Sequence, residues 1–236
     1  MATPDPLDDA KRDAAVAAVS AHVTSGTAIG LGSGSTASHV VRELGRLLAA
    51  GTLRDVVGVP TSERTATLAR QVGVPLTTLA DHPRLVVALD GADEVAPGLA
   101  LIKGLGGALL REKVVASAAE RFIVVADHTK EVDRLGARAP VPVEVIVFAE
   151  RVCALGLEAL GAQPTLRRTA DGAPFVTDEG NHILDCRFDR IDDPERLDHA
   201  LHGVAGVVEH GLFLGRAAEA FLAGPDGVRR LGSAGG

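Results

Sequence analysis

The sequence predicts an α/β fold: a Rossmann-like domain with a mostly parallel sheet, and a second, smaller ferredoxin-like α+β domain. Three observations carry this. Apolar runs of strand length alternate with helical stretches through the first half, the order that builds a parallel sheet covered on both faces. After the proline-marked segment ARAPVPVEV the order becomes β-α-β-β-α-β, the ferredoxin-like pattern. Hydrophobic residues make up 46% of the 236 positions with no Trp and no Tyr, so a real core is built from Val, Leu, Ile and Ala.

The elements follow in order. PLDDAKRDAAVAAVSAHV is a helix with acids in its first turn. TAIGLG is a short apolar strand ending in glycines. GSTASHVVRELGRLLAAG has apolar positions at helical spacing and a terminal glycine. DVVGVP is a strand, SERTATLARQVG a helix and VPLTTL a short strand. RLVVALD is a buried strand, ALIKG another, ALLREKVVASAAE a helix and RFIVVAD a strand. Beyond the prolines come strand VEVIVFA, helix ERVCALGLEALG, strands PTLRRT and HILDCRF joined by the turn DEGN, helix DPERLDHALHGV and strand VVEHGLF. The tail GRAAEAFLAGPDGVRRLG reads as a helix and a turn returning to the first domain. The expected domains are 1–130 plus about 206–236, and 131–205.

Composition removes several function classes. A net charge of −7 disfavours a nucleic-acid or anionic-membrane binder, which needs a basic face. Missing aromatic platforms argue the same way against single strands. No apolar run is long enough to span a bilayer, and the polar, acidic N-terminus MATPDPLDDAKRD has no apolar signal core. Cys153 and Cys186 form no C-x-x-C and read as small buried residues of a reduced cytosol, so a cytoplasmic location is expected. The eight histidines show no metal spacing; His199 and His202, three apart, read as a wet helix face.

Ligands of parallel sheets sit at the carboxyl ends of the strands. GLGSGST, PTSERT, DGADE, KGLGG and ADHTK all fall at such ends, so five polar or glycine-rich segments are expected to converge on one edge. Gly32-x-Gly34-x-x-Ala37 fits the dinucleotide fingerprint. That fingerprint wants an acid at the carboxyl end of the second strand, however, and Asp55 precedes its run while Glu63 already opens a helix, so a nicotinamide cofactor is discounted. What remains is either an ordinary strand–helix turn or a cradle for one phosphate, built from N–H groups and the hydroxyls of Ser33, Ser35 and Thr36. In KGLGG, glycines allow close backbone approach, and Lys103 is either solvated or placed to neutralise an oxyanion. Glu112 is either a surface residue favoured by the helix macrodipole or a base. Asp90, Asp93 and Glu94 repel one another unless a cation or proton sits among them. A divalent metal is one answer, without supporting ligands in the sequence; hydroxyl recognition and proton handling beside Lys103 is the other.

Together GSGSTA, DGADEV, KGLGGALLREK, ADHTKEVDRLG and PVPVEV, in this order and spacing, resemble ribose-5-phosphate isomerase of the A type. The resemblance extends through VTDEGNHILD, GVVEHGLF and GPDGV. It implies a two-domain α/β subunit in a homodimer or higher homo-oligomer, with no metal or organic cofactor. The implied reaction interconverts D-ribose 5-phosphate and D-ribulose 5-phosphate in the non-oxidative pentose phosphate pathway.

Carried over by position, Glu112 matches the family's base. Ser33, Gly34, Ser35 and Thr36 match its first substrate loop. Asp90, Gly91, Ala92 and Asp93 match the second, and Lys103, Gly104, Leu105 and Gly106 the third. Lys130 matches a further substrate-binding lysine. Leu105 interrupts the family's glycine run. A gapless count places Arg12 at the family's phosphate-binding lysine, with Lys11 one residue away. In the implied chemistry Glu112 moves a proton between C1 and C2, Lys103 with Asp93 stabilises the oxyanion, and Asp90 handles the proton of ring opening. Two alternatives stay open: a non-catalytic sugar-phosphate sensor, and another sugar-phosphate enzyme on a related fold.

Overall fold

The computed structural model describes residues 7–232, which form two compact units. The first contains residues up to Ala92, Arg111–Lys130 and residues from Arg216 on. Its sheet has six strands in the order β13-β12-β6-β3-β1-β2. These are β1 (Ala28–Leu31), β2 (Val57–Pro60), β3 (Leu85–Asp90), β6 (Ala119–Asp127), β12 (Ala217–Gly224) and β13 (Gly227–Gly232). All neighbours are parallel except the β12–β13 hairpin. From β1 the chain moves to β2 on one side, while β3 pairs on the other, so the strand order reverses between β1 and β3. The crevice outside their carboxyl ends is the binding position in sheets of this kind.

Strand alternation sends Ile29, Leu31, Val87, Leu89, Ile123 and Val125 to one face. There they pack with the apolar sides of α1 (Asp8–His22) and α2 (Ser35–Ala49). Gly30 and Ala88 face the other way, toward α4 (Leu109–Ala118). A Cβ on Gly30 would lie 2.5 Å from Val115 Cγ1, so glycine is what admits the helix there. Side-chain contacts fix the direction of both helices. His22, at the end of α1, meets Glu219 near the start of β12 (3.1 Å), and Arg121, near the start of β6, holds the same carboxylate. Ser117, at the end of α4, accepts from Arg216 just before β12 (2.6 Å). The helix C-termini therefore lie at the amino edge of the sheet, and the first turns, which carry Lys11 and Glu112, lie toward its carboxyl edge.

The second unit contains Asp93–Leu110 and Glu131–Gly215. Its four-stranded antiparallel sheet runs β10-β7-β9-β8, from β7 (Val141–Val145), β8 (Ala162–Leu166), β9 (His182–Phe188) and β10 (Val207–His210), with α5 (Glu150–Ala159) and α6 (Pro194–His202) as its helices. This is the ferredoxin-like order expected. Cys153 and Cys186 are buried in its core beside Val141, Val143, Leu157 and Leu184. Burial pushes the Cys186 thiol up to about 12. A three-stranded sheet, β11-β5-β4, belongs to the same unit and comprises β4 (Glu94–Ala96), β5 (Ala100–Ile102) and β11 (Leu212–Phe213).

Several expected elements take another form. The tail is a hairpin, β12–β13, and not a helix. AAEAFLAG reads as helical from its alanines, yet β12 is buried on nearly every residue beside β6, and Pro225-Asp226-Gly227 makes the turn. VPLTTL forms only an isolated bridge from Leu76 to Gly58, as Pro75 cannot donate to a ladder. ALIKG does not join the parallel sheet; β5 pairs antiparallel with β4 and β11. DEGN does not join β8 directly to β9. It closes a Val176–His182 bridge at the end of a longer connection. The units also take residues 93–110 and 206–215 into the second body, because β10 pairs with β7 and Ala96, Ile102 and Leu212 of the three-stranded sheet share a core with Val141 and Val143.

Candidate active site

Four of the five expected segments lie at the carboxyl edge of the parallel sheet. The fifth, KGLGG, belongs to the second unit, as does Asp93.

In the first unit Asp90 ends β3 and is 3% exposed. Its Oδ1 accepts from the backbone N–H groups of Ser33 (3.0 Å) and Gly91 (2.7 Å). A Cβ on Gly32 would stand 2.1 Å from that oxygen, so close approach, not a special dihedral angle, requires glycine. The sequence offers Ser33 as a cradle hydroxyl. Its Oγ instead meets Thr61 Oγ1 (2.8 Å), Ser62 Oγ (2.7 Å) and Thr65 Oγ1 (3.1 Å), pinning this loop to the one after β2. Thr65 in turn donates to the Gly32 carbonyl (2.9 Å), and Ser62 caps α3 (Glu63–Gln71). These three residues escaped the sequence-based site; the signal was the hydroxyl run in PTSERT.

Ser35 and Thr36 open α2. Gly34, at φ 99°, precedes them, and no side chain caps this helix start. A 15-residue helix beginning this way presents backbone N–H groups and a positive dipole end to an anion. A groove of about 420 Å³ between α2 and α3, lined by Gly34, Ser38, Arg42, Glu63 and Arg64 among others, contains neither Asp90 nor Glu112.

Glu112 sits in the first turn of α4 and is only 4% exposed. A carboxylate serving the macrodipole alone would be solvated. Lys130 ends a 3-10 turn after β6, and that turn is held by buried Asp127, whose Oδ1 accepts from the N–H (3.0 Å) and hydroxyl of Thr129. Arg12 faces outward, with its side chain 53% exposed, and is tied to Asp9 (2.7 Å) and Asp13 (3.4 Å). Lys11, 9% exposed, lies on the buried face with Ala14, Ala15 and Ala18. Helical spacing from the apolar positions of α1 puts the two cations on different faces, a distinction that a count along the chain does not make.

In the second unit both acids that end DGADE, Asp93 and Glu94, meet backbone amides. Asp93 Oδ2 accepts from Leu105 N (2.9 Å). Glu94, fully buried, accepts from Gly136 N (2.7 Å), Arg138 N (2.6 Å) and Ala139 N (2.7 Å). The repulsion among the acids of DGADE is thus met largely by N–H groups, with Glu94 serving the fold. Lys103 is 2% exposed, with Nζ 5.4 Å from the Phe213 ring centre. Its backbone N–H donates to Gly211 O (2.9 Å).

The KGLGG loop is clamped from outside. Arg167 Nη1 donates to the carbonyls of Gly104 (2.9 Å) and Leu105 (3.1 Å), while its other nitrogens hold Asp185. Gly104 (φ 99°) and Gly107 (φ 86°) need the left-handed region; Leu105 does not, and its side chain is 43% exposed. Leucine is therefore accommodated, because that position contributes its amide. Arg167 was missed, and only tertiary structure brings it to the loop.

The family model described as ribose 5-phosphate isomerase A (phosphoriboisomerase A) matches residues 57–227. A ribose-5-phosphate isomerase A from Roseiflexus castenholzii is 60% identical over 210 residues, 89% of this chain and 90% of that protein. The solved ribose 5-phosphate isomerase A from Methanocaldococcus jannaschii is similar at TM-score 0.91 and 40% identity, over 96% of this chain and 99% of that one. A D-ribose-5-phosphate isomerase solved in complex with phospho-erythronic acid is similar at TM-score 0.92 and 39% identity, over 95% and 98%. Among the described residues, no helix is long and apolar enough to cross a membrane.

Proposed function

The chain belongs to the ribose 5-phosphate isomerase A family, and we propose that it interconverts D-ribose 5-phosphate and D-ribulose 5-phosphate with Glu112 as the base. The observation that carries the assignment is the burial of Glu112 in the first turn of α4, toward the carboxyl edge of the parallel sheet. Glu112 takes the proton from C2 of the open-chain aldose and returns it to C1, while the C1 carbonyl becomes a hydroxyl and the C2 hydroxyl a ketone. Lys103 offers the cation for the enediolate oxygens, with Asp93 positioning the hydroxyl groups. Asp90, its Oδ1 already held by two amides, orients or relays the proton of ring opening through its carboxylate.

The phosphate is assigned to the start of α2, with Gly34, Ser35 and Thr36, and to Lys130. Lys11 replaces Arg12 in this assignment: it shares the buried face of α1, whereas Arg12 is occupied by two acids on the outer face. Ser33 shapes the loop. Gly91, Ala92, Gly104, Leu105 and Gly106 contribute backbone.

The proposed assembly is a homodimer or higher homo-oligomer in the cytoplasm. Exposed apolar residues on the second unit, Phe148 (97% exposed), Val152 and Leu155, support self-association. Light scattering of wild type and Phe148→Asp tests it, a single monomeric mass for both being the contrary result.

Turnover decides the main reading. Ribulose 5-phosphate should appear from ribose 5-phosphate with purified protein, at the same rate with EDTA, and phospho-erythronic acid should compete. Binding without turnover would instead assign a sugar-phosphate sensor.

A further inference from the structure

Asp198, His202 and His210 come together in the second unit, although no motif joins them in the sequence. Asp198 and His202 are four apart on α6 and so share one helix face. His210 ends β10 and is fully buried. His210 Nε2 lies 3.1 Å from His202 Nδ1 and 3.4 Å from Asp198 Oδ1, and His202 Nδ1 lies 3.7 Å from Asp198 Oδ2. A tetrahedral zinc with bonds near 2.0–2.1 Å separates its ligand atoms by about 3.3 Å. The two edges at His210 Nε2, to His202 Nδ1 and Asp198 Oδ1, match that spacing; His202 approaches the other Asp198 oxygen, and one donor atom from each residue lies within 4.8 Å of the other two, so a small turn of the carboxylate completes the face.

We propose that Asp198, His202 and His210 bind a borderline divalent transition metal of the zinc class. Two imidazoles and one carboxylate suit such an ion and exclude a magnesium-type site, which takes oxygen ligands. Glu209 supplies the outer support. Its Oε1 is 3.1 Å from His202 Nε2, so His202 binds through Nδ1 while its Nε2–H donates to a carboxylate. The carboxylates of Asp198 and Glu209 both border the cluster, and a divalent ion balances their charge. His202 is half-exposed and Asp198 partly so, which opens a path from solvent to buried His210.

Two contacts are exchanged on binding. His202 Nδ1 leaves the Asp198 carbonyl (3.0 Å), and the His210 proton moves to Nδ1, giving up a long contact from Leu212 N (3.3 Å). The ion ties α6 to β10. Because Gly211, the next residue, accepts from Lys103 N, the ion also stiffens the backbone that seats Lys103. This role is separate from turnover, which is expected without metal.

Protein stripped with EDTA and exchanged into metal-free buffer should be titrated calorimetrically with ZnCl₂, and with Co(II) as a visible-absorption probe. Wild type should bind one ion per chain at micromolar concentration, show Co(II) d–d absorption, and melt at a higher temperature with zinc. His202→Ala and Asp198→Asn should weaken binding at least 100-fold and abolish the melting shift, while Glu209→Gln should weaken it about tenfold. Metal-free turnover of each variant shows that it is folded, and if one fails to fold the other carries the test. Absence of saturable binding to wild type, or affinities unchanged in these variants, would overturn the site. Magnesium competing equally with zinc would overturn the metal class.

Discussion

The loop after β1 and the loop after β5 are both glycine-rich, and they are held in opposite ways. The first is shaped by regular structure: a parallel strand ends, a 15-residue helix begins, and the neighbouring strands supply Asp90 and the hydroxyls around Ser33. The second leaves a short antiparallel strand and is seated by residues far away in sequence, Arg167, Gly211 and Phe175, whose ring leaves no room for a Cβ on Gly107 (2.4 Å). The comparison teaches that similar glycine spacing can rest on different supports. A strand–helix turn inherits its geometry from the sheet, whereas a clamped loop depends on a few individual side chains.

The largest effect should come from the first unit's chemistry. Glu112→Gln keeps size and removes the base, so kcat should fall by about two to four orders of magnitude. Ribose 5-phosphate binding and melting temperature should stay close to wild type. Normal kcat would move the base to Asp90 or Asp93.

The clamp comes next. Arg167→Ala deletes two donors to the KGLGG carbonyls and leaves Asp185 half-buried without its cation, which should cost about 3 kcal/mol. Denaturant titration measures it, and KM should rise as the loop loosens. A neutral substitution would show that the glycines hold their shape unaided.

At the amino edge of the parallel sheet, Glu219→Gln should cost about 2 kcal/mol through lost charge-assisted hydrogen bonds and leave kinetic constants unchanged. Hydrogen bonding from Arg230, with His22 adding attraction, holds the Glu219 carboxyl down to about 2. An unfolded glutamate titrates near about 4.3. The stabilisation is therefore complete above about pH 5 and is lost progressively as pH falls toward about 2. Wild type and variant should converge in stability across that window; a constant gap would deny the linkage.

A smaller kinetic effect separates the two α1 cations. Lys11→Ala should raise KM for ribose 5-phosphate about tenfold, the scale of one charge-assisted contact, and Arg12→Ala should leave it near wild type. The reverse order would restore the assignment by sequence count. The smallest change is expected from Leu105→Gly. The amide to Asp93 remains, so turnover should hold, and stability should fall by about 0.5–1 kcal/mol through chain entropy alone.

The first unit was the more legible of the two. Its strand-end segments stand where the alternation of apolar runs and helices put them, because β1, β2, β3 and β6 are parallel neighbours. Asp90 and Ser33 stand out in the sequence as site candidates, but the hydrogen bond from Ser33 N to Asp90 Oδ1 does not. A hydroxyl in a glycine loop can face a ligand or a neighbouring loop, and the sequence does not say that Ser33 Oγ meets Thr61, Ser62 and Thr65. The gapless count that gives Arg12 takes no account of the helical face, on which Lys11 is the buried cation.

By itself the sequence determined the α/β class, the parallel order of the first unit, the ferredoxin-like order of the second and the positions of the polar strand ends. Those features follow from periodicity and turn residues, which act over a few positions of chain. Tertiary structure alone decided that β12 enters the sheet as a strand, that KGLGG leaves an antiparallel sheet, that Arg167 clamps it, and that His210 meets Asp198 and His202. Such contacts join residues whose separation along the chain carries no pattern. They exist because burying the apolar faces of distant elements brings particular polar side chains within hydrogen-bonding distance.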